Sequence, residues 1–194
     1  MKWSRAVHHA AALAESCAGA ATRPFGLRVV RLWAVGELLG EPRDLDVITV
    51  ALAVDLPPDE VPWWTRPPGA QHWASAARLP QNPVRPWWRS AHAPVDNHRI
   101  VRPVLLWDVD GGVRDDALAA LRDGAAEPFR APAPPADELA ARLRDELGVS
   151  LAALRARTAA YEERRWAPGR LDPLADALWE AADGYLDLLD AVDR

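Results

Sequence analysis

With 194 residues, 49% of them hydrophobic and 26% charged, the chain has the composition of a globular protein long enough to bury a proper core. A net charge of −5 argues against a general nucleic-acid binder, and a single cysteine, Cys17, excludes an internal disulfide and a cysteine-rich zinc site. No stretch of about 18 apolar residues occurs, which excludes a membrane span, and the N-terminus lacks the apolar core of a signal peptide, so a cytoplasmic location is expected.

Residues 2–20 read as a helix, with Ser4 as N-cap and Val7, Ala10, Ala14 and Cys17 recurring every three or four positions. Leu27 to Val35 is short, β-branched and aromatic, which predicts a strand. Leu45 to Val54 is apolar at odd and even positions alike, as in a strand covered on both faces. Asp44 and Asp46 stand at the mouth of that second strand. Side chains alternate along a strand, so the two carboxylates point the same way, roughly 7 Å apart. Such a pair suits Mg²⁺, which takes oxygen ligands and is commonly held by one or two carboxylates with substrate phosphates. The same residues also fit a plain strand-turn-strand with solvated charges at its end.

The order apolar strand, Gly36, short connection, Asp44-x-Asp46, apolar strand resembles the core of the nucleotidyltransferase fold, the DNA polymerase β-like group. That resemblance implies a glycine opening a short helix that holds a triphosphate, matched by Gly36. It also implies a metal-binding pair, matched by Asp44 and Asp46, and a third carboxylate from a later strand, for which Asp108 is the candidate. The family's serine is Glu37 here, and a carboxylate repels a triphosphate. A degenerate member of that group is therefore expected, binding a nucleotide weakly or not at all. Across nearly the whole length, the segments MKWSRAVHHAAALAE, RDLDV, WRSAHAPVDNHRIVRP and YEERRWAPG are similar to an actinobacterial family of unknown function, a resemblance that implies no activity.

Ten tryptophans against two phenylalanines and two tyrosines is the unusual count. Trp63-Trp64 and Trp87-Trp88 fall in proline-rich stretches, where they cover loops or line a cleft. Residues 69–79 fit a short helix with Trp73 and Leu79 inward, and Pro80, Pro83 and Pro86 then predict a loop. Residues 85–102 combine Arg85, Arg89, Arg99 and Arg102 with His92, His98 and two indoles. Two readings are open: a cleft wall for a nucleotide-like or other anionic ligand, with Arg89, His92, His98 and Arg99 as contacts, or a structural loop held by its own polar contacts.

Residues 100–108 read as a third strand, with Pro103 at an edge or bulge, and Asp108 to Gly112 as a turn. A short helix over 115–123 and a proline-alanine linker follow. Leu139, Leu143, Leu147, Leu151, Leu154, Thr158 and Tyr161 form one stripe that continues in phase across Gly148 and predicts one long helix, or two nearly collinear ones, over 137–165. Asp172-Pro173 then opens a second, whose stripe runs through Leu174, Leu178, Ala181, Tyr185, Leu188 and Val192. The short loop between them implies an antiparallel hairpin.

The expected architecture is α+β: a small mixed sheet with flanking helices over residues 1–130, and a C-terminal helical hairpin over 131–194. Three functions follow: a nucleotidyltransferase-like protein with Mg²⁺ at Asp44 and Asp46; a non-enzymatic module whose Trp-rich loops and hairpin meet a protein partner or a second copy; and acid–base chemistry at His92 or His98.

Overall fold

The computed structural model describes residues 1–23 and 25–193. Helix α1 spans Trp3–Ala21, and β1 (Val29–Val35) and β2 (Ile48–Val54) form an antiparallel pair joined by a 3₁₀ turn over Gly36–Leu39. Helix α2 (Ala70–Ala76) leads to β3 (Val84–Ser90), which lies parallel to β2. Strands β4 (Val104–Asp108) and β5 (Gly112–Val113), helix α3 (Asp115–Arg122) and the long helices α4 (Ala136–Arg164) and α5 (Asp172–Val192) complete the chain. The sheet order is β3-β2-β1-β4-β5, mixed as expected.

Three of the boundaries that differ from the sequence reading bear on the site. Proline spacing predicts a loop at 80–86, yet β3 begins at Val84. Pro86 sits on the outer strand with its missing N–H turned away from β2, so it costs no ladder bond. The third strand begins at Val104 rather than residue 100, because Asn97 folds the preceding segment into a turn. Its Oδ1 accepts the N–H groups of Arg99 and Ile100, at 2.9 and 3.0 Å. Strand β2 begins at Ile48 rather than Leu45, so Asp44 and Asp46 precede the strand instead of standing in it.

Both sheet faces are covered. On one face Leu32, Ala34, Val50, Leu52, Val104 and Leu106 pack with α1, α2 and α3. On the other, Trp33, Val35, Ala51 and Trp87 meet Trp63, Ile100, Leu143 of α4 and Leu188 of α5. The second face holds a smaller core of six buried apolar residues, and tryptophans pack into both faces, with Trp73, Trp88 and Trp107 on the first and Trp33, Trp63 and Trp87 on the second. Alternation along β3 sends neighbouring indoles to opposite faces: Trp87 packs edge-on against Trp63, and Trp88 edge-on against Trp73 of α2.

Helix α5 approaches the tryptophan loop closely enough that only glycine fits at one position. A Cβ at Gly184 would lie 2.2 Å from the Trp63 carbonyl oxygen.

Candidate functional site

The aspartates do not converge. Leu45 is turned inward and tied to Met1, with its N–H donating to the Met1 carbonyl at 2.9 Å, and this leaves Asp44 and Asp46 facing solvent on either side of it. Asp108 pairs with Arg31 near the start of β1, whereas Thr49, three residues beyond Asp46, pairs with Val35 at its end. Four residues of strand, about 13 Å, separate those two registers before the loop is counted. Asp108 also has a local task. Its Oδ1 accepts the N–H groups of Asp110 and Gly111, and its other oxygen pairs with Arg114. Burial pushes the Asp108 carboxyl up, but the Gly111 N–H and Arg114 outweigh it and hold the group below its ordinary range.

Among the described residues, no group of three or more His, Cys, Asp or Glu is placed to hold a metal ion. Strand β3, the parallel neighbour of β2, carries no carboxylate at all. Gly36 opens the 3₁₀ turn after β1 with φ of 64°, a left-handed value that favours glycine. Glu37 follows it and pairs with Arg43 at 3.4 Å. This donor set does not fit a two-metal centre.

The polar stretch after β3 is spent on docking the hairpin. Arg89 is buried and forks onto Glu146 of α4, with the Pro94 carbonyl as a further acceptor, while its guanidinium lies 5.5 Å from the Trp63 ring centroid. Asp187 of α5 accepts from Trp63 Nε1 at 2.8 Å, pairs with His98 Nε2 at 2.7 Å and is bridged by Arg99. Burial pushes the Asp187 carboxyl up, and the hydrogen bonds from Arg99, Trp63 and His98 more than reverse this, leaving it below the ordinary carboxylate range. Asp96 holds Arg142 at 2.6 Å. His92 stands apart from these, exposed, with Nε2 2.9 Å from Asp55. Of the residues expected to line a ligand cleft, Arg89, His98 and Arg99 instead fasten helices to the sheet.

The cleft lies one strand edge away. A groove of about 820 Å³ runs beside β3, between α2 and the middle of α5. Trp64, Trp87, Trp88 and Trp179 line it, with Arg66, Arg85, Gln71 and Asn82. Arg66 crosses it to Glu180, with Nε 2.6 Å from Oε1. Arg85 is exposed and has no ion pair among the described residues. Trp64 takes a left-handed backbone conformation, φ 63°, and its Nε1 is buried with no hydrogen-bond partner. A bulky residue at positive φ is strained, and such strain collects where a fold positions a side chain for use.

Sequence reasoning named Trp64, Trp87 and Trp88 and missed Trp179. The signal was available. Trp179 lies off the apolar stripe of α5, and it is 65% exposed.

A family model described as "Domain of unknown function (DUF7711)" matches residues 1–194, and the chain belongs to that family. No curated protein and no solved structure matches it.

Proposed function

We propose that this chain is a non-catalytic ligand-binding module on a nucleotidyltransferase-like frame that lacks a metal-dependent active site. The frame reading is supported by chain order: α1, β1, a glycine-opened short helix, an Asp-x-Asp segment, then β2 as an interior strand of a mixed sheet. Loss of chemistry is supported by Glu37 at the phosphate-facing turn and by Asp108 being committed to Arg114 at the far end of the sheet.

One observation carries the binding reading: four indoles and the unpaired Arg85 meet in a single open groove. Indole faces stack on planar rings, and a guanidinium without a partner attracts an anion. The ligand is therefore anionic with a flat body. Calorimetric titration of the whole chain with 2-naphthoate, a flat anion, in the presence of EDTA tests this. Heat of binding that Arg85→Ala and Trp179→Ala each reduce supports the groove. Binding indifferent to both variants overturns it.

A second reading rests on Asp44 and Asp46, which face solvent without an ion pair among the described residues. There the pair would hold one Mg²⁺ beside a nucleotide. Its test is thermal unfolding with Mg²⁺ and each common nucleoside triphosphate, with Asp44→Asn/Asp46→Asn as control. A ligand at about 100 times its Kd adds roughly 2.7 kcal/mol. A metal-dependent rise absent from the double variant would favour this reading over the groove.

A further inference from the structure

The groove's floor is the outer edge of β3, and its hydrogen-bonding pattern can be read from the ladder. Ile48 donates to the Pro83 carbonyl at 2.9 Å, and Ala91 donates to the Val54 carbonyl at 2.8 Å. In a parallel pair, residues of one parity serve the neighbouring strand, so 83, 85, 87, 89 and 91 face β2. Val84, Pro86 and Trp88 therefore turn their backbone groups outward, and all three line the groove.

A strand pairing in parallel at this edge needs repeated stations, each a carbonyl followed two residues later by an N–H. The first station, Val84 to residue 86, is void because proline has no N–H. Val84's own N–H already donates to the Asn82 carbonyl at 2.8 Å. The second station, the Pro86 carbonyl with the Trp88 N–H, is complete. The third would end at Ser90, which is buried and does not line the groove. One whole station cannot hold a peptide strand. It does match a single donor–acceptor edge spaced like the N–H and C=O of one residue.

Resting on the groove reading above, we propose that its ligand is a planar nitrogen heterocycle that presents an N–H donor beside a ring-nitrogen acceptor and carries an anionic group. The donor meets the Pro86 carbonyl, and the acceptor meets the Trp88 N–H. Indoles of Trp64, Trp87 and Trp179 flank the ring, and Arg85 takes the anionic group. The hydrogen-bond pattern selects this class over a peptide, because proline has removed the strand's continuity, and Arg85, without an ion pair among the described residues, sets the ligand's negative charge.

The test is calorimetry and ¹⁵N NMR on the full chain, with EDTA present so that Asp44 and Asp46 hold no metal. Adenosine 5′-monophosphate and pterin-6-carboxylate are the probes. Purine riboside 5′-monophosphate, which lacks the exocyclic amine, and 2-naphthoate, which lacks the donor–acceptor edge, are the comparators. Binding of a probe should shift the Trp88 amide and the Trp179 indole N–H, with loss of the amine weakening the adenine ligand about tenfold, the worth of one hydrogen bond. Equal affinity for purine riboside monophosphate, or naphthoate binding as tightly as both probes, overturns the heterocycle and leaves the groove standing. If neither probes nor naphthoate move the groove resonances, both readings fall. An extended acidic peptide that shifts Val84 and Trp88 while the probes do not would also overturn the proposal.

Discussion

The carbonyl of Trp63 occupies the place where any side chain at Gly184 would have to go, 2.2 Å from an added Cβ. The obstruction is backbone, so it cannot rotate aside. Alanine in mid-helix gains about 1 kcal/mol of helix propensity over glycine. Overpacking costs about 1–3 kcal/mol, and against a fixed backbone atom the upper end applies, so the clash wins. Gly184→Ala should therefore destabilise the protein by about 1–2 kcal/mol in urea unfolding, with faster hydrogen exchange across α5. An unchanged or raised midpoint would contradict this account of how the hairpin seats.

Asp187 ties three side chains to α5, and its sensitivity to acid follows from the direction of its shift. A carboxyl held below its unfolded value stabilises the fold fully above that value, about 3.9, and the contribution disappears as pH falls through the lower folded value. Asp187→Asn should lower stability by about 2 kcal/mol at neutral pH, mostly through the lost pairing with Arg99 and His98. The wild type and the variant should converge as pH falls through the lowered folded value of Asp187. Parallel unfolding curves at pH 7 and in acid would rule out this role.

Arg89 and Glu146 make a buried fork between β3 and α4. Removing one member leaves the other's charge stranded, which costs about 3–5 kcal/mol, whereas apolar replacement of both is often neutral. Glu146→Gln should be markedly destabilised, and Arg89→Met/Glu146→Leu should recover most of the loss in chemical denaturation. A double variant as unstable as the single one would show that the pair contributes net stability.

Trp179 is exposed, so Trp179→Ala should leave the unfolding midpoint within about 0.5 kcal/mol of wild type. Its effect should appear in affinity for a flat anion, as a loss of about 1–2 kcal/mol, read by calorimetry. A large loss of stability with unchanged binding would make Trp179 a packing residue.

Most elements were legible because their signals are local. The stripe from Leu139 to Tyr161 shows one long helix, Asp172-Pro173 marks the next start, and Leu27 to Val54 reads as two adjacent strands. Strand β3 was hidden because the rule that proline breaks strands depends on which side of the sheet Pro86 faces, and that is a tertiary fact. Arg89, His98 and Arg99 looked like ligand contacts for a related reason. A cation near indoles reads the same whether its anion is a ligand or the chain's own Glu146 and Asp187, which are 57 and 88 residues away from Arg89 and Arg99. The aspartate constellation failed on register, since nothing in the local sequence says that Asp108 pairs with Arg31 at the end of β1 remote from Asp46.

Pro86 bears on crowding as well as on ligands. A sheet grows from chain to chain only where an edge offers a continuous row of donors and acceptors. At one end of this sheet the outermost strand is the two-residue β5, too short to template another. At the other end β3 is interrupted in its middle by a residue that cannot donate. A tryptophan-rich protein with an open sheet edge would be a natural seed for fibrils. Here both margins are closed to lateral growth, so indoles can stay exposed at a strand edge without recruiting further copies of the chain.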